Sequence, residues 1–176
     1  MSEAKCILCE EEARVEAGRK EGKLMDAIFV YCETCKKYYL DAPDMYEQEK
    51  MPREKRRMLS AYTRERFEFR EKPPEIGDPD TLTDIIAKYE GKTVDEKLEN
   101  LIWYLRKESK EYGDSVPWGI ERDYPITYSL SPQGFEKIVH LARDKGLLVI
   151  VSRDSLELTE EGWKLGSKIV EDRRQS

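Results

Sequence analysis

Apolar positions along the chain fall into three regimes. Between residues 1 and 42 they cluster in short β-type runs. Residues 13–17 can form a first strand, 18–22 (Gly18 to Gly22, with a glycine at each end) a turn, 27–31 (Ala-Ile-Phe-Val-Tyr) a second strand and 36–40 a third. From 43 to 72 the period changes to that of a helix. Pro43 and Asp44 can begin one turn and Pro52 opens a fresh helix, with Met58, Leu59, Tyr62 and Phe69 on one face. Residues 73–80 carry Pro73, Pro74 and Pro79, which forbid a helix and read as a linker.

From 81 to 176 the pattern is mostly helical with one hairpin. Thr81 can cap a short helix through Tyr89, stopped by Gly91. Thr93 and Glu96 have the spacing of a capping box, opening a helix expected to run to Tyr112 and end at Gly113. Val94, Leu98, Leu101, Ile102 and Leu105 form its apolar stripe, with Trp103 on the opposite side. Residues 115–129 read as irregular and aromatic. Ser131 and Pro132 start a helix that ends at Gly146, with Phe135, Ile138, Val139 and Ala142 facing its core. Residues 147–151 and 156–158 are the strands of a hairpin, and Thr159 caps a last helix. Helix, short helix, helix and hairpin is the order of a winged-helix domain, in which the helix before the hairpin takes the recognition position. The expected architecture is therefore α+β: a ribbon (1–42), a connecting basic amphipathic helix (43–72), a linker (73–80) and a winged-helix domain (81–176).

The four cysteines make up two C-x-x-C pairs, Cys6/Cys9 and Cys32/Cys35, separated by 22 residues. A C-x-x-C turn aims two sulfurs at one point, and a hairpin between two such turns brings the pairs together. This is the pattern of a zinc ribbon with a structural Zn2+ on four thiolates. A disulfide framework or a dithiol redox pair is the alternative. A ribbon of this size buries too little to stand without such a staple. Phe29, Tyr31, Tyr38 and Tyr39 read as packing around the metal site, with a base-stacking platform as the other reading.

The formal net charge is −6, so the chain as a whole is not a basic nucleic-acid protein. The balance is uneven: residues 50–72 carry nine Lys/Arg against four Glu, a local net of +5. Arg53, Arg57 and Arg64 gather on one side of the predicted helix, as a phosphate-facing stripe or as a solvated face paired with Glu54, Glu65 and Glu68. On the recognition-position helix, Lys137, His140 and Arg143 are candidate nucleic-acid contacts, joined by Arg153 at the wing tip, although Glu136, Asp144 and Asp154 lie among them and His140 also reads as a solvent-facing or buried structural histidine. Trp118, Tyr124 and Tyr128 are candidate anchors for a protein partner, or else pack their loop onto the core.

No phosphate-binding loop, nucleophile elbow or zinc-protease motif is present, and His140 is the only histidine. Four cysteines close a zinc shell, so no enzyme activity and no small-molecule substrate are expected of this chain. The longest aliphatic run, 147–151, is far too short to span a membrane, and the start MSEAKC has no apolar leader. With reduced thiols, that points to the cytoplasm.

Two stretches add a resemblance. Residues 113–150 and 156–163, through Asp123-Tyr124-Pro125, Gly146-Leu147-Leu148, Leu158-Thr159 and Gly162-Trp163, resemble a winged-helix module of bacterial and archaeal proteins. Residues 58–68 (MLSAYTRERFE) resemble the helix that joins this module to an N-terminal cysteine ribbon. In that architecture an effector domain often follows, related to nucleoside deoxyribosyltransferases or to Toll/interleukin-receptor-like domains, in prokaryotic stress and defence proteins. The sequence stops at Ser176, where an effector would begin, so it reads as a stand-alone relative or a piece of a longer protein, and no effector residue carries over. Two functions follow as expectations. The first is a regulatory or adaptor module contacting a protein partner or a sister subunit. The second is a DNA- or RNA-binding transcriptional regulator that uses the winged helix and the basic helix 53–70.

Overall fold

A computed structural model describes residues 2–20, 23–41, 50–68, 72–77 and 79–175. The protein is α+β and divides into two compact units, Met1–Gly91 and Lys92–Ser176.

The first unit is built on five strands in the order of the chain. They are β1 (Ser2–Lys5), β2 (Glu12–Lys20), β3 (Lys23–Cys32), β4 (Lys36–Asp41) and β5 (Glu75–Ile76). The first four are antiparallel; β5 runs parallel to β4. The cross-strand register Val15↔Val30↔Tyr38 and Ile28↔Leu40↔Ile76 puts these six residues on one face of the sheet. Helix α1 (Arg53–Glu68) packs on β4 and on helix α2 (Pro79–Glu90). Met58, Leu59 and Ala61 of α1 and Leu82, Ile85, Ile86 and Tyr89 of α2 are buried. The phenol of Tyr89 donates a hydrogen bond to the carboxylate of Glu65.

This differs from the sequence reading in three ways. β1 and β5 are additional strands. The stretch expected as a linker is partly built into the sheet: the Pro74 carbonyl accepts the Tyr39 N–H at 2.8 Å and Ile76 is fully buried. The helix expected to open the second domain belongs to the first unit, so the division falls after Gly91 and not at the prolines. The turn residues Glu21 and Gly22, the helix start at Pro43 and Asp44, and Phe69 lie outside the described residues.

The second unit runs α3 (Val94–Glu108), β6 (Ser115–Pro117), α4 (Ile120–Asp123), a 3-10 turn (Tyr124–Thr127), α5 (Pro132–Asp144), β7 (Leu148–Ser152), β8 (Ser155–Leu158) and α6 (Glu160–Gln175). Its antiparallel sheet has the order β6-β8-β7. Leu101, Ile102 and Leu105 of α3 meet Phe135, Val139 and Ala142 of α5 and Leu148, Leu156 and Leu158 of the sheet in one core.

Local chemistry sets the ends of these helices. Thr93 and Glu96 form the reciprocal capping box at α3. The Ser131 hydroxyl accepts the Gly134 N–H at α5, and the Thr159 hydroxyl accepts that of Gly162 at α6. At the end of α5, Gly146 takes φ 70°. Its N–H donates to Arg143 while that of Leu147 donates to Ala142, a Schellman closure. Helix α3 stops at Glu108, short of the expected Tyr112: Ser109 takes extended backbone angles (φ −79°, ψ 125°), and its buried hydroxyl bonds to the Leu105 carbonyl at 2.7 Å. Val94, expected in the apolar stripe, is 54% exposed. Trp103 does face a second partner, the Arg173 guanidinium of α6, 4.7 Å from its ring. The segment 115–129 is not irregular but supplies β6 and two short helical turns. Among the described residues no helix is long and apolar enough to cross a membrane.

Candidate metal centre

The hairpin of β2 and β3 returns the chain so that the turn before β2 lies beside the turn after β3. Each turn is a cysteine knuckle. The first closes with Cys6 N–H donating to Glu11 at 2.8 Å and Glu10 N–H donating to the Cys6 carbonyl at 2.7 Å. The second directs the Cys35 N–H at the Cys32 sulfur, 3.4 Å away. Both knuckles are left through a residue of positive φ four positions after their first cysteine: Glu10 at 69° and Lys36 at 65°. Neither is glycine, so the cysteine geometry holds each in a left-handed conformation that side chains disfavour.

The four sulfurs of Cys6, Cys9, Cys32 and Cys35 are buried and lie within 4.8 Å of one another. Thiolates about 2.3 Å from one ion form a tetrahedron with edges of about 3.8 Å, so the cluster has the size of a four-sulfur site. All four cysteines are free, and Cys9 and Cys32, from different knuckles, approach to 3.4 Å. A disulfide would require about 2.05 Å. The cluster can therefore hold a metal ion.

Two hydroxyls support the sulfurs from outside. Tyr38 Oη lies 3.2 Å from Cys6 Sγ and Ser60 Oγ 3.1 Å from Cys35 Sγ. Both residues have no exposed surface. Burial pushes the Tyr38 phenol up, so it stays protonated and is a donor. The thiols alternate: a hydrogen bond with Cys32 holds Cys6 far below its ordinary value, and one with Cys35 lowers Cys32. The bond with Cys32 raises Cys9, and burial raises Cys35. Metal binding requires deprotonated thiols, and a dication would favour the thiolate form at all four.

Helix α1 reaches the first knuckle as well. Arg56 donates to the Ile7 carbonyl at 3.0 Å and to the Glu10 carboxylate at 2.8 Å. Arg56 and Ser60, one helical turn apart, thus contact one knuckle each. The sequence reading missed both. A signal was available: Ser60 is a small polar residue inside the buried run of Met58, Leu59 and Ala61, four positions from a basic residue.

The remaining candidates are scattered. Arg53 is exposed, Arg64 half-buried and Arg57 only 4% exposed, so the three do not share an open face. Lys137 and Arg153 are exposed. Arg143 is bound to Asp144 at 2.7 Å, and His140 Nε2 lies 3.9 Å from the Glu136 carboxylate. Trp118, Tyr124 and Tyr128 are 8%, 2% and 3% exposed and pack inward. On the sheet face opposite Val30 and Leu40, Phe29 meets Tyr31 and Tyr39 with ring centroids 4.5 and 4.4 Å apart. A groove of about 800 Å³ beside Tyr31 is lined by Lys5, Arg14, Lys36, Lys37 and Phe67, and also by Glu3, Glu12 and Glu33. Its charge is mixed. Comparison with protein-family models, with curated proteins and with solved structures finds no match for this chain.

Proposed function

We propose that this protein is a non-enzymatic regulatory or adaptor module acting through protein–protein contacts. In this reading Cys6, Cys9, Cys32 and Cys35 hold a structural Zn2+ that staples the ribbon, and the second unit is a winged-helix domain. Four soft thiolates in a closed tetrahedral shell favour zinc and leave no open position for substrate. The order of helices and strands and the sheet order β6-β8-β7 support the winged-helix reading. The resemblance to prokaryotic ribbon and winged-helix modules adds a target: an effector of the stress or defence type, in cis or in trans.

The observation that carries the choice of a protein partner is the charge of the recognition-position helix. On α5, Arg143 is bound to Asp144 and His140 faces Glu136, while Arg57 of the supposed basic stripe is buried. A nucleic-acid binder neutralises several phosphates with open cations. The test is in-cell crosslinking of the full chain, with binding to duplex and single-stranded DNA measured at two salt concentrations. Protein crosslinks on the second unit and no salt-dependent DNA binding are expected. Steep salt dependence that disappears when Lys137, Arg143 and Arg153 are changed to Glu would establish the transcriptional-regulator reading instead.

A further inference from the structure

Helix α1 has a thin apolar face. Its buried residues include Met58, Leu59 and Ala61, but also Arg57, Ser60 and Thr63. Buried polar groups need hydrogen-bond partners, and partners outside the helix help to position it. Ser60 has its partner on one cysteine knuckle, and half-buried Arg56 has its partners on the other. Ser60, with no exposed surface, points its hydroxyl at Cys35 Sγ, 3.1 Å away. Arg56, one turn earlier, holds the Ile7 carbonyl and the Glu10 carboxylate of the first knuckle. Both tethers end on the cluster's own loops. They join α1 directly to the loops that carry the four sulfurs, which lie within 4.8 Å of one another. The Ile7 carbonyl belongs to the knuckle itself, between Cys6 and Cys9.

We infer that Arg56 and Ser60 are positioning residues of the metal centre and that together they make the docking of α1 metal-dependent. The cluster is then more than a staple of the ribbon. It latches the helix that carries the packing of α2, so metal occupancy sets the position of the helical layer of the first unit. This inference rests on the reading of the four cysteines as a resident metal site.

The experiment measures two quantities on the full chain. One is the rate at which bound zinc passes to a chelator; the other is backbone hydrogen exchange over Arg53–Glu68 with metal bound. Ser60→Ala removes the hydroxyl that faces sulfur. Thr63→Val removes an equally buried hydroxyl that bonds to the Ser60 carbonyl at 3.0 Å, within the helix. Ser60→Ala is expected to release zinc about 10- to 100-fold faster, the usual effect of losing an outer-shell partner, and to raise α1 exchange. Thr63→Val is expected to release zinc at the unmodified rate, and Arg56→Lys, which keeps one donor, at a rate between the two. Release from Ser60→Ala at the unmodified rate, or equal acceleration by Thr63→Val, would overturn the inference while leaving the metal site intact. A chain that takes up no metal at all would overturn the metal reading and the inference with it.

Discussion

Substituting Gly162 with alanine provides a test in which the two available arguments differ in sign. Gly162 lies in the first turn of α6, where helix propensity alone favours alanine by about 1 kcal/mol. In the fold, however, an alanine Cβ would sit 1.8 Å from the Leu147 carbonyl oxygen and 2.8 Å from its carbon. An ordinary C···O contact is about 3.3 Å, so α6 and the start of β7 must separate by roughly 1.5 Å. Overpacking of this kind costs about 1–3 kcal/mol. The same movement strains two hydrogen bonds that tie the start of α6 to the segment before β7, Thr159 N–H to Leu147 O at 3.1 Å and the Thr159 hydroxyl to Gly146 O at 2.6 Å, with about 1 kcal/mol at stake in each. The expected balance is a loss of about 2 kcal/mol, or roughly 8–15 °C in melting temperature for a domain of this size. All three tryptophans, Trp103, Trp118 and Trp163, belong to the second unit, so tryptophan fluorescence during thermal or urea denaturation reads its unfolding. Gly134→Ala is the control: its Cβ would meet nothing closer than the Ser131 hydroxyl at 3.4 Å. It should be neutral or stabilising by up to about 1 kcal/mol. A Gly162→Ala chain as stable as the unmodified chain would refute the packing of α6 against Leu147.

Further predictions concern the metal shell and α3. Tyr38→Phe keeps the buried ring but removes the hydroxyl 3.2 Å from Cys6 Sγ; chelator competition should show metal affinity reduced about 10- to 100-fold, with one ion still bound at saturation. The capping-box carboxylate of Glu96 is lowered to about 2, first by the hydrogen bond from Lys92 and then by those from Thr93. Because its folded value lies below the ordinary 4.5, its contribution is fully present above that value and is lost as pH falls through about 2. The stability difference between the unmodified chain and Glu96→Gln, measured by urea denaturation, should therefore shrink as pH falls from 4.5 towards 2.

What could be read from the sequence depended on whether the signal was local. Two C-x-x-C pairs act within four residues each, and the structure brings their sulfurs together as expected. The caps at Thr93, Ser131 and Thr159 are equally local, as is the left-handed Gly146. Contacts distant in sequence were not legible. Prolines 73, 74 and 79 keep the chain extended whether it links domains or lies along a sheet, and only the tertiary pairing of Tyr39 with Pro74 and the burial of Ile76 decide between the two. Arg57 has the composition of a surface residue, yet its place on α1 turns it inward. Trp118, Tyr124 and Tyr128 looked equally suited to a partner or to the core, and burial assigns them to the core.

Four sulfurs within 4.8 Å of one another have the geometry to form the shell of one metal ion. Elemental analysis of the purified full chain, beside a Cys32→Ser variant, tests this most directly. One zinc per chain is expected in the first. In the second, metal loss should be accompanied by unfolding of the ribbon, because the binding free energy of a structural zinc is folding free energy. A folded, metal-free chain with its cysteines oxidised, or a Cys32→Ser chain that remains folded and fully loaded, would contradict the four-cysteine centre.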